Sequence, residues 1–131
     1  MRTKPVSAPQ VRAYTSKAQE YSDAAPSELE SKRYIAATSL AIHAAINAAD
    51  AVCGARLGKR AAGEDHDQVL TLLKQAGPDG VSVGKELGRL LPLKTKAEYE
   101  PDDIAASVAK KAVERSHRCI VVAAAVARAL K

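Results

Sequence analysis

Large aromatic side chains are almost missing from this chain. It contains no Phe, no Trp and four Tyr, although 47% of its 131 residues are apolar. A core without large rings has to be filled by small aliphatic side chains, which requires helices that approach one another closely. Alanine supplies nine of the 31 residues from Pro101 to Lys131. Because strand-like alternation is missing too, the composition predicts a single all-α domain.

Cysteine and long apolar runs are scarce as well. The two cysteines, Cys53 and Cys119, each fall within a helical apolar pattern and outside any metal-binding spacing. We therefore expect two buried free thiols, no metal and no cofactor. There is no run of about 18 apolar residues and no basic leader followed by an apolar segment. This predicts a cytoplasmic protein without a membrane span or signal peptide.

The chain does contain a series of helical patterns, which predict a bundle of about five helices. Residues 1–9 hold two prolines and no periodicity, which predicts a flexible tail ahead of one domain covering residues 10–131. Ser27 and Glu30 have the spacing of a capping box, so the long second helix is predicted to open there. Pro101, followed by two aspartates, predicts the first turn of the last helix. The predicted helices cover about Gln10–Ala24, Ser27–Leu57, His66–Ala76, Ser82–Leu91 and Pro101–Lys131, with a turn at Gly77–Gly80.

The segment Leu93–Asp103 carries a basic turn, then Ala-Glu-Tyr, then Pro-Asp-Asp, and leads into the last helix. It resembles the last third of HEPN domains, specifically small prokaryotic ones in which an Arg-x-x-Ala-Asp-Tyr turn precedes the final helix. Tyr34–Val52, with its His-Ala-Ala step, resembles the long HEPN helix. Asp65–Leu70 resembles the start of the third helix of the family. The resemblance covers about Ser27 to Leu130 in the expected order.

HEPN proteins often act on RNA, and many are metal-independent ribonucleases of toxin and defence systems. In those, an Arg-x4-6-His motif near the last helix carries the chemistry: a fixed cation stabilises the charged transition state while an imidazole moves the proton of the ribose 2′-hydroxyl. The resemblance thus implies a homodimer with an RNA-directed role in a toxin-antitoxin or defence setting, and an antitoxin or another protein as partner. This chain departs from the motif. Lys94 stands at the arginine position, and no histidine occurs between Lys94 and Ser116.

Lysine offers a phosphate a point charge instead of the bidentate fork of arginine, so we expect the ribonuclease chemistry to be absent or weak. Two alternatives remain open. The chain could be a catalytically silent protein–protein interaction module. It could also be an active metal-independent ribonuclease using Arg60 and His66, which have five residues between them but lie between helices 2 and 3. Whether the protein is an enzyme depends on which of these holds.

A basic pole is the candidate nucleic-acid surface. If the long helices alternate in direction, the end of helix 2, the start of helix 3 and the turn before the last helix meet at one end of the bundle. Such a pole, in a chain of net charge +5, suits contact with phosphates. The alternative is an ordinary soluble surface, since acidic residues lie nearby. The candidate RNA-binding residues are Arg56, Lys59, Arg60, Lys94, Lys96 and Tyr99.

His43, Asn47 and Asp50 follow one another at i, i+4 and i+7 and so share one face of an otherwise apolar helix. They could form a site in which Asn47 or Asp50 fixes the tautomer of the imidazole. The alternative is a polar seam or a network at a subunit interface. The row has too few ligands for a metal.

Overall fold

The protein is described by a computed structural model that covers residues 1–63 and 65–130. It is a helical bundle with one very short two-stranded sheet, which confirms the all-α prediction. Glu64, which precedes the predicted third helix, and Lys131, which was placed at the end of the last one, lie outside the described residues. The helices are α1 (Ala8–Glu30), α2 (Tyr34–Leu57), α3 (Asp67–Lys74), α4 (Gly77–Leu90), α5 (Pro92–Glu98) and α6 (Ala106–Ala129); strands β1 (Thr3–Pro5) and β2 (Lys59–Ala61) are antiparallel.

Helix α2 is the core of the bundle, and α1 and α6 pack along it. Seven of its alanines are buried, together with larger residues such as Ile42 and Val52, so the neighbouring helices approach it closely. By length and composition alone α2 could cross a membrane, with a mean hydropathy of 1.3 over its most apolar window. However, 61% of that window is buried inside the bundle. Its apolar character is therefore explained by its central position.

Helix α1 is longer than predicted and begins at a different capping box. The Ser7 hydroxyl accepts a hydrogen bond from the Gln10 amide at 3.3 Å, and Oε1 of Gln10 accepts one from the Ser7 amide at 2.9 Å. The helix then continues through Pro26 to Glu30, so no helix opens at Ser27 and that prediction is wrong. Packing of α1 along α2 and α6 offsets the cost of a proline inside the helix, which is about 3 kcal/mol.

The N-terminal segment predicted as a flexible tail contains a strand. Thr3–Pro5 pair with Lys59–Ala61, and the adjacent Val6 is buried. A Cβ added to Gly54 would lie 2.6 Å from Cγ1 of Val6, so the glycine is what lets this segment lie against α2. A strand of three residues is too short to produce an alternating pattern, which is why the sequence did not reveal it.

The turn predicted at Gly77–Gly80 is instead the first turn of α4, with Pro78 at a position where its missing amide costs nothing. A Cβ on Gly80 would lie 2.2 Å from the carbonyl oxygen of Leu73. Gly80 therefore allows α3 and α4 to touch, and it serves packing rather than chain reversal. The predicted thiols are confirmed: Cys53 and Cys119 are free and buried, and burial raises the pKa of each to about 12.

The basic turn before the last helix is itself a helix, α5, which begins at Pro92. Pro101 does not open the last helix, because α6 begins at Ala106 and Ala105 before it is extended. A proline disfavours helical geometry in the residue before it, here Glu100, so Pro101 follows the end of α5 and lies in the connection to α6. The helical geometry of α5 decides which side chains of the Leu93–Asp103 segment share a face.

Candidate functional site

Glu98 contacts two basic side chains at once. Its Oε2 lies 2.7 Å from Nζ of Lys94, one helical turn earlier on α5. Its Oε1 lies 2.7 Å from Nε2 of His43 on α2. At that distance Nε2 must carry a hydrogen, since two acceptors would repel each other. Among the described residues, no well-aligned hydrogen bond reaches this buried oxygen, so its approach to His43 is a close polar contact.

The charges of this cluster are mutually dependent. Partial burial opposes ionisation of Glu98, but the hydrogen bond and charge of Lys94, with a smaller contribution from His43, outweigh it and lower the pKa of the carboxyl. The hydrogen bond that Lys94 donates to Glu98 in turn raises the pKa of Lys94. Glu98 is therefore ionised and Lys94 protonated at neutral pH. Their side chains are only 16% and 20% exposed, so solvent screens this pair less than an ordinary surface pair.

The imidazole of His43 packs against Tyr21 of α1, with ring centroids 5.6 Å apart. The Asn47 side chain does not reach this ring; its Nδ2 donates to the backbone carbonyl of His43 at 2.8 Å. The residue that fixes the His43 ring is therefore Glu98, not Asn47 or Asp50 as the spacing along α2 suggested. No local pattern links His43 to Glu98, because the contact depends on how α5 folds back onto α2.

Beside this cluster, His66, Lys94, Thr95 and Tyr99 line a cleft of about 600 Å³. Tyr99 is 75% exposed, and Nζ of Lys94 lies 5.5 Å from the centroid of its ring. Partial burial and the charge of Lys94 lower the pKa of His66, against the opposing pull of Asp65. His66 is thus mainly neutral at pH 7, and one of its ring nitrogens can accept a proton.

Three of the predicted residues, His66, Lys94 and Tyr99, therefore lie together. Arg60 contacts other groups: its guanidinium lies 5.8 Å from the centroid of the Tyr14 ring and donates to the carbonyl of Ala61 at 3.2 Å. In the described structure, Arg60 and His66 thus have different neighbours, despite their family-like spacing.

The remaining predicted residues are spread more widely. Arg56 forms an ion pair of 2.6 Å with Asp79 at the start of α4, which neutralises it. Lys59 is exposed on β2, and Lys96 is half-buried in the last turn of α5. The positive charge at this end of the bundle is therefore divided among several places, and only Lys94 among these basic residues lines the cleft beside His66.

Asp50 is the buried member of the polar row on α2. Burial raises the pKa of its carboxyl to about 6, although the charge of Arg60 opposes the shift. Among the described residues, no three His, Cys, Asp or Glu side chains are grouped so that they could hold a metal ion. The site thus offers two imidazoles, one ammonium, one carboxylate and one exposed phenol ring to a ligand.

Glu98 also borders a second and larger cleft, of about 830 Å³, between the first turns of α2 and α6. Its walls include Tyr34, Ile35 and Ile104. Glu98 therefore lies between two clefts, since it lines the larger one and its partner Lys94 lines the smaller one.

Comparison with known proteins agrees with this arrangement of helices. No curated protein matches the chain. The family model for the HEPN domain matches residues 11–128 of the 131, which confirms the resemblance carried by the long helix and by the segment before the last one. The chain therefore belongs to the HEPN domain family.

Proposed function

We propose that this HEPN protein binds RNA at the cleft lined by His66, Lys94 and Tyr99. We further propose that it acts in the cytoplasm in a toxin-antitoxin or defence setting, and that it lacks the Arg/His ribonuclease chemistry of its family. The observation that supports RNA binding most directly is the ammonium of Lys94 beside the exposed ring of Tyr99, 5.5 Å from its centroid.

An ammonium beside an accessible aromatic ring suits an unpaired nucleotide. The ammonium can contact a phosphate while the ring stacks on a base, and stacking contributes about 1–3 kcal/mol per base. Bases inside a duplex do not offer their faces, so the cleft favours single-stranded segments. The net charge of +5 adds attraction at longer range.

The same cleft explains why binding should be moderate and sensitive to salt. Lys94 is held by Glu98 at 2.7 Å, so a phosphate has to compete with that carboxylate. Arg56, which is paired with Asp79, cannot add to the affinity without breaking its own contact. Lys59 and Lys96 remain available as weaker, more distant contributors.

The test is binding of a labelled single-stranded RNA at low salt. Lys94→Ala should weaken binding and reduce the slope of log affinity against log salt by about one unit. Tyr99→Ala should weaken binding with the slope unchanged, because it removes stacking and no charge. Lys85→Ala, which removes an exposed lysine on α4, is the matched control. It should show neither the weaker binding nor the smaller salt slope of Lys94→Ala.

The family fold also allows an interaction module, in which the protein binds an antitoxin or another partner protein and no RNA. Absence of RNA binding at low salt would support that function. If RNA binds equally well after Arg60, Lys94 and Lys96 have all been replaced by alanine, RNA does not bind at the cleft and must bind elsewhere.

A second candidate function is metal-independent RNA cleavage, and one observation favours it. His43 contacts Glu98, which binds Lys94, and His66 lines the cleft together with Lys94, so two imidazoles lie close to one cation. In that reaction the 2′-oxygen attacks phosphorus and gives its proton to one imidazole. The 5′-oxygen leaves with a proton from the other imidazole, so a 2′,3′-cyclic phosphate and a 5′-hydroxyl remain. Lys94 would then take the role that the sequence spacing gave to Arg60.

A further inference from the structure

The two short strands concentrate positive charge at one place on the surface. The antiparallel pairing of β1 with β2 extends to the residue before β1, whose carbonyl accepts a hydrogen bond from the Ala62 amide at 2.9 Å. Residues 1–6 and 58–62 contain no acidic side chain. We call residues 2–5 and 59–61 the basic ribbon, and its basic residues are Arg2, Lys4, Lys59 and Arg60.

Two of these cations are held on the same face of the ribbon. Lys4 and Arg60 are directly opposite each other in the register, and opposed residues project to the same side of a sheet. Like charges at opposed positions destabilise a strand pair. Among the described residues, none of the ion pairs includes Lys4 or Arg60. An anion bound between the two side chains would remove this repulsion, so the ribbon favours an anionic ligand.

The acidic groups near the ribbon offset only part of its charge. The buried carboxyl of Asp50 interacts with Arg60. Asp65 is engaged at the start of α3, where its carboxylate accepts a hydrogen bond from the Asp67 amide at 2.9 Å. The side chains of Arg2, Lys4 and Lys59 are exposed, so these three cations can be reached by a ligand from solvent.

The ribbon is attached to the core of the bundle, which fixes the position of its cations. Val6, directly after β1, is buried, and its amide donates to the carbonyl of Gly58 at 2.9 Å. The guanidinium of Arg60 is also held, against the ring of Tyr14. Groups that are already ordered lose less conformational entropy on binding than groups on a free tail. The ribbon is therefore a preformed surface for phosphates.

One face of α2 connects the ribbon to the cleft. Arg60 interacts with Asp50, and Lys94 is joined through Glu98 to His43. His43 and Asp50 are seven residues apart, so they share a face and lie about 10 Å apart along the helix axis. A single strand of a few nucleotides can span this distance. A strand with a base in the cleft can therefore place neighbouring phosphates at the ribbon.

We propose that the basic ribbon is a second RNA contact, which binds the phosphates of a single strand whose base occupies the cleft. This inference rests on the proposed binding of RNA at the cleft. RNA fits the ribbon better than an acidic protein segment does, because an RNA strand carries a phosphate at every nucleotide. It also carries bases, for which the adjoining cleft offers the exposed ring of Tyr99.

Arg2→Ala combined with Lys4→Ala tests the ribbon, with a labelled single strand of about 12 nucleotides, within the usual size range of single-strand sites. Fluorescence anisotropy at low salt should show weaker binding, on the order of tenfold. The slope of log affinity against log salt should fall by about one to two units, because two phosphate contacts are lost. Lys85→Ala combined with Arg89→Ala is the matched control. It removes the same two residue types from exposed positions on α4 and should keep wild-type binding.

A dinucleotide with a single phosphate separates the ribbon from the cleft, because one phosphate cannot occupy both. Tyr99→Ala should weaken binding of the dinucleotide and of the longer strand, whereas the ribbon variant should weaken binding of the longer strand only. If the ribbon variant binds the longer strand as its control does, and Tyr99→Ala still binds it weakly, the ribbon is refuted and the cleft stands. If instead the ribbon variant loses the RNA and Tyr99→Ala binds normally, the cleft is refuted.

Lys4→Glu tests the shared face of Lys4 and Arg60 in the absence of RNA. The change replaces a like-charge pair by an opposite-charge pair, so it should raise the melting temperature at low salt. Added salt should reduce this gain, because exposed charges are screened. The same variant should bind the longer strand more weakly than Lys4→Ala does, although its fold is at least as stable as that of wild type. A lower melting temperature would contradict the arrangement on which the proposal rests.

Polyglutamate of similar length is the probe for an acidic protein partner. It should bind more weakly than RNA at the same salt concentration, because it offers no base to the cleft. Affinity equal to that of RNA, with the same loss in the ribbon variant, would assign the ribbon to an acidic protein and overturn this inference. Absence of RNA binding by the wild-type protein at low salt would overturn both the ribbon and the cleft.

Discussion

Oε1 of Glu98 lies 2.7 Å from Nε2 of His43, and this contact joins the short helix α5 to the core helix α2. The other oxygen of the same carboxylate binds Lys94. Glu98 therefore has two effects on the cleft. It fixes the position of α5, and its negative charge offsets the positive charge that Lys94 would offer to a phosphate.

The first prediction separates these two effects with Glu98→Gln. Glutamine keeps the size of the side chain and an oxygen for Lys94, but it removes the negative charge. A unit charge near a bound phosphate changes its energy by about 1 kcal/mol at a partly screened surface. RNA binding at low salt should therefore tighten by about fivefold, measured by fluorescence anisotropy.

Glu100→Gln is the control for that prediction. Glu100 is exposed, two residues further along the chain, and it does not line the cleft. Glu100→Gln changes the net charge by the same amount. Any gain in RNA affinity beyond that of the control is therefore due to the position of Glu98 beside Lys94. Weaker binding of Glu98→Gln would contradict the prediction and show that holding α5 in place matters more than local charge.

The second prediction concerns Asp50, whose carboxyl pKa is raised by burial to about 6 from 3.8. The folded state binds this proton more tightly than the unfolded state, so Asp50 destabilises the fold progressively as pH rises from about 4 to above 6. A shift of about two units corresponds to about 3 kcal/mol, as an upper bound. Asp50→Asn should be more stable than wild type at pH 7.5, and this advantage should disappear at pH 4.

Urea unfolding at the two pH values measures this difference. Asp102→Asn, the same change at an exposed position, is the control, and Asp50→Asn should exceed its stability at pH 7.5. If Asp50→Asn loses stability at pH 7.5, the attraction between Asp50 and Arg60 outweighs the cost of burying the carboxylate.

The third prediction distinguishes the two capping boxes. Ser7→Ala removes the side-chain hydrogen bond at the start of α1 and should lower the free energy of unfolding by about 1 kcal/mol. Ser27→Ala changes an exposed residue inside the helix and should stay within about 0.5 kcal/mol of wild type. Thermal unfolding of both variants checks this. A larger loss for Ser27→Ala would restore the helix boundary that the sequence suggested.

These boundaries show how far the sequence predicts the fold. The all-α class followed from alanine content and periodicity, because small apolar residues at helical spacing indicate closely packed helices. The ends of α1 and α4 did not follow, since Pro26 and Gly77–Gly80 are ordinary breakers by local preference. Tertiary packing outweighed that preference: α1 continues along α2, and Gly80 lies against Leu73.

The candidate site was predictable only in part. His66, Lys94 and Tyr99 were expected to meet because helix direction alone brings their segments to one end of the bundle, and the structure places them in one cleft. The partnership of His43 with Glu98 was not expected. It depends on helix α5, which was not predicted. This helix places Glu98 one turn after Lys94 and directs both side chains toward α2.

The last prediction is that purified protein does not cleave total RNA in the absence of metal. Lys94 provides a single point charge and is already bound by Glu98, and loss of a preorganised donor typically slows such reactions by a hundredfold or more. The measurement compares wild type with His43→Ala, His66→Ala and the control His117→Ala, whose imidazole is exposed on α6. Robust cleavage that both site variants abolish and the control retains would contradict the prediction. Cyclic phosphate ends on the products would then assign acid–base roles to His43 and His66, because only a 2′-oxygen attack leaves them.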